Sequence, residues 1–384
     1  MKITSTLLSE GKNLQRTKDY RSKVGPKGRV PAIATKNKKT AKASSLLDAS
    51  LPDLSGAIDL NTLVLEQQAP KLSKAALRDI TKEAIPEILQ GIKELGKNVP
   101  KTRMKLKKKQ AGASSVCCLF SDWHFGKVIK TISGNYIFNS EIAYNRVTEE
   151  IAEQIIDYIS TMSKTTKIDE IRFLFAGDMV DNDIIYATQR LQIDSGVAEQ
   201  FDLVTRAIMT LTLKVKEALF VLGLKDVQIL LDCMVGNHGR ATKDSETPIC
   251  SWDTAVYSAL DLAVRTAKMT DVHVTFSLND FHVTDVKGHR LLMKHHAPPT
   301  SETGAAKKVF GGLNEIFDFD FMVYGDLHHW AAHCYNGKPL LMNGSLCGYD
   351  EYAISLGVRD EWSQLVWMTN EDKPVNFLHR LERQ

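Results

Sequence analysis

The stretch VGNHGR, from Val235 to Arg240, directly follows the apolar run VQILLDCM. An Asn-His pair between two glycines sets polar side chains at the end of a predicted strand, where glycine permits a sharp turn and close backbone approach. Four other apolar runs also end in polar residues of types that can bind a metal ion. This repeated arrangement decides the predicted fold, because it places one chemical site at the ends of several strands.

Predicted strands and helices alternate from residue 113 onwards. The order is strand SSVCCLFSD, helix SEIAYNRVTEEIAEQIIDYIS, strand EIRFLFAGD, helix 196–223, strand VQILLDCMVGN and helix SWDTAVYSALDLAVRTAK. Short predicted strands follow, from VHVTFS to the C-terminal VNFLHRLE. Alternation followed by a strand-rich half predicts a layered α/β fold.

The residues that follow these strands are typical metal ligands. In α/β sheets, ligands bind beyond the carboxyl ends of the strands. The five strand ends supply, in chain order, Asp122 and His124, Asp178 in GDMVDND, Asn237 and His238, His295 and His296, and Asp326 and His328 in GDLHH. Each motif alone is common, and a single histidine is more often a core or surface residue. Their joint, ordered occurrence at strand ends predicts a metal site.

The side-chain chemistry favours divalent ions. Asp122 and His124 are separated by one residue, so both can face the same way at an extended strand end. A carboxylate and an imidazole suit a divalent transition metal, and Asp178 could bridge two ions through its two oxygens. Two ions about 3.5–4 Å apart can clamp the attacking and leaving oxygens of a phosphoryl displacement.

This ordered set of motifs resembles the calcineurin-like metallophosphoesterase family over roughly residues 113–350, nearest in character to the nuclease subunits of DNA double-strand-break repair. The resemblance implies a four-layer α/β/β/α sandwich, a dinuclear centre and hydrolysis by a metal-bridging hydroxide. It assigns the ligands of one metal as Asp122, His124, Asp178 and His328. It assigns the ligands of the other as Asp178, Asn237, His295 and Asp326. His238 would be the catalytic residue, facing the scissile phosphate and protonating the leaving oxygen.

Three departures from the family pattern bear on the site. Asp326 stands where the family has a histidine, and a carboxylate favours harder ions such as Mn²⁺ or Mg²⁺. Gly239 stands where an acid usually follows the Asn-His pair, which leaves the orientation of His238 open; this glycine either makes room for a bulky substrate such as a nucleic-acid strand or marks a weakened catalyst. The doublet His295-His296 offers two ligands, of which His295 is preferred because it comes first after the strand. Asp181 and His329, close to these motifs, are interpreted as supporting or surface residues.

The N-terminal part of the chain has a different composition. The net charge of the 384 residues is +3, yet residues 1–45 hold twelve Lys and Arg against two acids, and KTRMKLKKKQ at 101–110 holds six against none. We predict a basic disordered tail at 1–45, a small helical segment with a Lys-rich linker at 46–110, and the metallophosphoesterase domain at 111–384. Basic runs suit polyanions such as nucleic acid, and a solvated tail and linker are the alternative.

These features favour a metal-dependent phosphodiesterase that acts as a DNA nuclease, with Arg240 binding a substrate phosphate or serving as an ordinary loop arginine. The alternatives are a nucleotide or cyclic-nucleotide phosphodiesterase or phosphatase, and a nucleic-acid-binding protein with a degenerate metal site. We expect two divalent cations, Mn²⁺ before Mg²⁺, Zn²⁺ or Fe.

The expected partner is nucleic acid, above all DNA, which would bind to the basic N-terminal regions. Helix 196–222 could form a homodimer surface or simply cover the sheet. A separate ATPase would be needed for any ATP-driven step, because no G-x-x-x-x-G-K-[ST] pattern occurs. With no long apolar run and no C-x-x-C pair among six cysteines, we expect a cytoplasmic protein without a membrane span.

Overall fold

The computed structural model describes residues 112–186, 189–242, 248–296, 304–348, 350, 357 and 360–383, with side chains described from residue 309 onwards in the helix that begins at residue 304. All of them belong to the unit Lys71–Gln384. The predicted basic tail at 1–45 and the predicted helical segment and linker at 46–110 lie outside the described residues.

A six-stranded mixed sheet forms one half of the described fold. Its order is β13-β12-β1-β4-β5-β6. The bounds are β1 Ser114–Phe120, β4 Ile168–Phe175, β5 Gln228–Cys233, β6 Val272–Phe276, β12 Ser363–Thr369 and β13 Asn376–Glu382. Strands β1, β4, β5 and β6 run parallel, whereas β12 pairs antiparallel with β1 and β13 antiparallel with β12. The parallel strands therefore end at one edge, where their polar residues can meet.

A second, five-stranded sheet has the order β10-β11-β9-β8-β7. Its bounds are β7 Phe281–Val286, β8 His289–Lys294, β9 Phe321–Tyr324, β10 Ala331–Tyr335 and β11 Lys338–Met342. Strand β9 pairs parallel with both β8 and β11. A small hairpin, β2 Ile129–Lys130 with β3 Tyr136–Phe138, lies after β1 in the chain. This hairpin was not predicted from the sequence.

The helices connect the parallel strands. Their bounds are α1 Ser140–Asn145, α2 Ala152–Met162, α3 Val197–Val221, α4 Trp252–Thr266 and α5 Gly304–Phe317. A π-helical turn, Arg146–Ile151, joins α1 to α2, and short 3₁₀ turns occur at Gln189–Leu191 and Pro248–Cys250. The predicted helices agree with α1 to α4 within two residues at each end, although the first was predicted without its π turn.

Apolar side chains on the two faces of the sheets form three separate cores. In β1, Val116, Cys118 and Phe120 join the core shared with the helices, whereas Cys117 and Leu119 join the core shared with the second sheet. This alternation follows from the two-residue period of a strand. The other face of the second sheet packs in a third core that includes Phe310 of α5.

The predicted α/β class is confirmed, with two mixed sheets and their connecting helices. The finer prediction of a four-layer sandwich stays a prediction. All six cysteines are free, and four are buried while Cys250 and Cys334 are exposed. Over the described part of the chain, no helix has the length and apolarity needed to cross a membrane.

Candidate functional site

The loops after β1, β4, β5, β8 and β9 meet beyond the ends of their strands. The amide of Asp122 donates to the carbonyl of Gly177 at 3.1 Å, and the amide of Gly325 donates to the carbonyl of His295 at 3.1 Å. The amide of His238 donates to Asp178 Oδ1 at 2.7 Å. These bonds join neighbouring strand ends within each sheet, and the 2.8 Å contact between His295 Nδ1 and the carbonyl of Ala176 joins the two sheets. Residues far apart in sequence therefore share one buried site.

Four groups of described side chains have the composition of a metal-binding set, and within each group the ligand atoms lie within 4.8 Å of one another. Two consist of predicted ligands alone, namely Asp122, His124 and His328, and Asp122, Asp178 and His295; the other two are His124, Asp178 and His238, and His328, Cys347 and Asp350. The five predicted ligands in these groups are all buried. The structure thus brings together five of the seven metal ligands proposed from the sequence.

The three imidazoles among these predicted ligands are held from behind. Nδ1 of His295 lies 2.8 Å from the carbonyl oxygen of Ala176. Nδ1 of His124 lies 3.2 Å from Asp181 Oδ1, and Nδ1 of His328 lies 3.2 Å from Asp350 Oδ2. The hydrogen bond from His295 Nδ1 fixes the proton there and leaves the lone pair on Nε2, and the nearby carboxylates favour the same tautomer in His124 and His328. Metal-ligating histidines are commonly held in this way.

The Nε2 atoms point at the centre of the site. Those of His124 and His328 are 3.1 Å apart. The Nε2 of His328 is 3.6 Å from Asp122 Oδ1, and that of His295 is 3.1 Å from Asp178 Oδ2. Nitrogen lone pairs that converge with carboxylate oxygens form a donor set that fits divalent transition metals.

The pKa shifts of the buried acids and histidines show that the site contains charges that need to be balanced. Burial raises the pKa of Asp122 and lowers the pKa of His124 to about 3. Burial would also lower the pKa of His295, but the charge of Asp178 raises it well above its usual value. A divalent cation would satisfy this site because it supplies positive charge to the carboxylates and takes the imidazoles in their neutral form.

Two other predicted ligands occupy the outer side of the site. Asp326 is half-buried, and its Oδ2 lies 3.5 Å from Nδ1 of the exposed His296. Its backbone amide points inward and lies 3.2 Å from Asp122 Oδ2. The side chain of Asp326 is not among the compact groups of described acids, histidines and cysteines. Asn237 is half-buried between Gly236 and His238. Of the doublet, His295 is the buried member.

Asp181 connects His238 to the metal-ligand set. Its Oδ1 lies 3.2 Å from Nδ1 of His238 and 3.2 Å from Nδ1 of His124, and its backbone carbonyl is the hydrogen-bond acceptor of His238 Nδ1 at 3.1 Å. Gln189 Nε2 lies 3.2 Å from Asp181 Oδ2. Burial would lower the pKa of His238, but the nearby Asp178 and Asp181 raise it. His238 is therefore held with Nδ1 engaged and Nε2 directed away from Asp181.

Gly239 is required by packing against α4. A Cβ at this position would lie 2.6 Å from Ser251 Oγ, closer than real Cβ atoms come to other heavy atoms, and 3.0 Å from Cγ of Asp253, which is tighter than most real Cβ contacts. The sequence left two explanations for Gly239, room for a bulky substrate and a weakened catalyst. The structure gives a third, because a larger residue would collide with the start of α4.

Asp253, which the sequence did not single out, joins two of the site's turns. Its Oδ2 accepts from the amides of Asp178 at 3.0 Å and Gly236 at 2.9 Å, and its Oδ1 accepts from the amide of Met179 at 3.2 Å. Burial raises its pKa to about 6. One carboxylate thus holds the turn that carries Asp178 against the turn that carries Asn237.

Lys127 and Asp350 form a buried ion pair behind His328. Neither was recognised from the sequence, since Asp350 follows no strand and Lys127 lies in a glycine-containing loop. Asn182 was likewise missed as a contact residue; its Nδ2 donates to the carbonyls of His238 at 2.8 Å and Arg240 at 2.7 Å. Arg240, the predicted phosphate-binding residue, is half-buried at the same turn.

The site backbone is concentrated in the left-handed region. Positive φ angles occur at six site residues, namely Asp122 (54°), His124 (47°), Asp178 (58°), Asn182 (72°), Asp326 (78°) and His328 (57°). Asp, Asn and His are the non-glycine residues that most often adopt it. Such conformations cost about 1–3 kcal/mol each and cluster at functional sites. This strain is a second, independent mark of a functional site.

Comparison with known proteins gives only distant likenesses. No family model and no curated protein matches this chain. Among solved structures, wild-type Vps29 of Entamoeba histolytica with Zn²⁺ is 11% identical, with a TM-score of 0.29, over 70% of this chain and 98% of that one. A novel archaeal phosphodiesterase is 11% identical, with a TM-score of 0.31, over 70% and 99%. A predicted phosphoesterase of Streptococcus pneumoniae is 12% identical, with a TM-score of 0.28, over 71% and 100%. At such distances the likenesses carry no weight for activity, so function is inferred from the side chains.

Proposed function

We propose that this protein is a metal-dependent phosphodiesterase of the calcineurin-like kind, with a four-layer α/β/β/α domain and two divalent cations. The observation that carries the proposal is the buried convergence of Asp122, His124, Asp178, His295 and His328 beside His238. A buried set of carboxylates and neutral imidazoles has little use in a core without a cation, because buried charge is costly unless it is paired.

The ligand assignment builds on the two groups that consist of predicted ligands alone. Asp122, His124, Asp178 and His328 would hold one ion, and Asp178, Asn237, His295 and Asp326 would hold the second. Asp178 Oδ1 is already engaged by the amide of His238, so its Oδ2 is the atom that faces His295. When bound, divalent cations supply Lewis-acid charge to a phosphoryl group and lower the pKa of water to near neutrality.

His238 would act as the general acid. Its Nδ1 proton is kept by Asp181, so the proton on Nε2 is the one available to the leaving oxygen of a phosphoester. The charges of Asp178 and Asp181 raise the pKa of His238, which favours the protonated form before the reaction. Arg240, on the same turn, would bind a non-bridging phosphate oxygen, an interaction for which guanidinium groups are well suited.

A DNA nuclease is the preferred activity. The support is the basic composition of 1–45 and 101–110, which would follow a phosphate backbone. A nucleotide or cyclic-nucleotide phosphodiesterase is the second candidate, because the same site would serve a small substrate. A nucleic-acid-binding protein with a degenerate metal site is the third candidate, supported by Gly239 and Asp326, two of the departures from the family pattern. The close packing of Gly239 and the 3.2 Å contact of Asp181 with His238 weigh against it.

A substrate panel tests the proposal. Purified protein with Mn²⁺ would be offered labelled single- and double-stranded DNA, RNA, cyclic nucleotides, bis(4-nitrophenyl) phosphate and 4-nitrophenyl phosphate. Cleavage of DNA and of the diester is expected. Cleavage of the monoester alone would contradict the proposed nuclease activity. Absence of hydrolysis of every substrate with Mn²⁺, Mg²⁺, Zn²⁺ and Ni²⁺ would contradict the proposal that the protein is a phosphodiesterase.

The proposed DNA contact has its own test. Deleting residues 1–110 should weaken DNA binding and reduce the salt dependence of the affinity, because fewer phosphate contacts release fewer counterions. Hydrolysis of bis(4-nitrophenyl) phosphate serves as the folding control. An unchanged salt slope would reject contact between this region and phosphates. Sedimentation of the full chain would separately test the proposed homodimer.

A further inference from the structure

Tyr186 is an aromatic side chain at the open side of the site. Its ring centroid lies 5.1 Å from that of His238, with an angle of 54° between the ring planes. The residue is 50% exposed. One part of the ring therefore contacts the residue proposed to protonate the leaving group, while another part faces solvent.

The loop that carries Tyr186 is fixed by the same contacts that hold His238. Gln189 Oε1 accepts from the amides of Ile185 at 2.9 Å and Tyr186 at 3.2 Å. The other end of this amide, Nε2, lies 3.2 Å from Asp181 Oδ2. The neighbouring Ile185 is buried and anchors the loop in the protein. Tyr186 is thus placed against the site by main-chain contacts rather than by burial of its own ring.

The charges around Tyr186 match a phosphoester that carries a flat organic group. Arg240 and Lys127 are the positive groups, and Asp178 and Asp326 the negative groups, within electrostatic range of its hydroxyl. Positive charge from Arg240 and from any cation held by the carboxylates would attract the phosphate. The exposed ring beside that phosphate offers a face on which a planar ring can stack.

We propose that Tyr186 is a specificity residue that stacks on the nucleobase next to the scissile phosphate, so that the site selects nucleoside phosphodiesters over simple alkyl diesters. This inference rests on the proposed function and names the substrate class of the same site. It requires no ring-specific hydrogen bond, because every nucleobase offers a π-face, so the preference should extend to all four bases.

Two esters with one leaving group test the inference. Thymidine 5′-(4-nitrophenyl) phosphate and methyl 4-nitrophenyl phosphate release the same phenolate, so any stacking of the leaving group cancels in the ratio of their kcat/KM values. Tyr186→Ala should lower kcat/KM for the thymidine ester about tenfold, and that for the methyl ester less than about twofold, as expected for loss of one base stack. Tyr186→Phe and Tyr186→Trp should retain the ratio, because each keeps an aromatic face.

Phe220→Ala is the matched control. Phe220 is an aromatic residue with 40% exposure near the C-terminal end of α3. It lies about 30 Å along that helix from Gln200, whose side chain accepts from the amide of Asn182 at the site. This control should leave both esters unchanged. An equal loss for both esters in Tyr186→Ala, or loss of the ratio in Tyr186→Phe, would overturn the inference while the proposed function stands.

Binding separates failure of the inference from failure of the proposed function. If the wild type hydrolysed neither ester, the proposed function would fail. The affinity for fluorescent oligothymidylate, measured by anisotropy with Mn²⁺ present, would still test whether Tyr186 stacks on a base. Affinity about tenfold weaker in Tyr186→Ala than in the wild type and Phe220→Ala would support stacking. Equal affinity in the three proteins would overturn it.

Discussion

Asp181→Asn removes the charge that links His238 to the metal-ligand set while keeping the size of the side chain. In the wild type, one carboxylate oxygen contacts Nδ1 of both His124 and His238, at 3.2 Å in each case. The substituted amide keeps one oxygen for the two rings but carries no charge, and its nitrogen could not accept from Gln189 Nε2, which donates to Asp181 Oδ2 at 3.2 Å in the wild type. The variant therefore perturbs the orientation and the charge of the proposed general acid.

The size of the effect follows from the contact that is lost. The variant keeps the backbone carbonyl that lies 3.1 Å from Nδ1 of His238 and loses the carboxylate charge at 3.2 Å. Exchange of a charged for a neutral group at hydrogen-bond distance costs about 1–1.5 kcal/mol, which corresponds to roughly 5- to 15-fold in rate. The pH dependence also changes. Burial lowers the pKa of His238, while Asp178 and Asp181 raise it. Without the Asp181 charge, the pKa should fall. Because the proton donor is the protonated ring, activity in the variant should decline at lower pH than in the wild type.

The assay is the pH profile of kcat for bis(4-nitrophenyl) phosphate with saturating Mn²⁺, measured together with metal content. Asp183→Asn is the matched control, because Asp183 is a neighbouring acid that pairs with the exposed Arg190 at 3.4 Å. The control should keep the wild-type profile. Full kcat in Asp181→Asn, or a lower kcat with an unmoved alkaline limb, would refute the role given to Asp181 and His238.

Three further predictions concern packing and charge. Gly239→Ala should lower the free energy of unfolding by about 1–3 kcal/mol, because its Cβ would overlap Ser251. Thermal unfolding should show a Tm about 2–10 °C lower, and an unchanged Tm would contradict this account of the packing. Asp253→Ala should cost at least about 3 kcal/mol in urea unfolding, because three backbone N–H groups lose their acceptor, and native stability would contradict that account. Removal of metal by chelation should lower the Tm, and Mn²⁺ at about 100 times its Kd should restore about 2.7 kcal/mol; a Tm insensitive to both would argue against a buried ion between Asp122 and Asp178.

The sequence predicted the elements that carry strong periodic signals. The apolar runs that became β1, β4 and β5 were recognised because each ends in a polar turn, and α3 and α4 because their apolar residues recur with helical spacing. Helix α5 was missed. Its sequence GAAKKVFGGLNEIF contains a glycine pair, and glycine disfavours helices in the absence of tertiary contacts.

Within the candidate site, it was easier to predict which residues take part than to predict which of them contact one another. Asp122, His124 and Asp178 follow strands, so strand ends alone brought them to one edge. The buried contact of His328 with Asp350 was invisible, because it joins loops whose relative position depends on the packing of two sheets. The packing of Gly239 was not foreseen for the same reason, since its neighbour Ser251 is twelve residues away in sequence and lies close only when α4 is in place.

The positive φ angles at the site could not be predicted from sequence patterns either. Asp and His adopt positive φ more often than most residues, but still only at a small minority of their positions, so single positions such as Asp122 or His328 gave no signal. The conformation is imposed by the surrounding contacts, including the amide of Leu346 that donates to the carbonyl of Asp122 at 3.0 Å. Local propensity predicts the strand, and tertiary structure decides the turn beyond it.

The most direct test of the central claim is a titration of Mn²⁺ into metal-free protein while hydrolysis of bis(4-nitrophenyl) phosphate is followed. Turnover should be absent at the start and should saturate at about two ions per chain, as expected for a clamp of two metals. Asp178→Asn should weaken both metal binding and turnover. Equal hydrolysis in the metal-free protein, or none at any Mn²⁺ concentration, would contradict a metal-dependent phosphodiesterase.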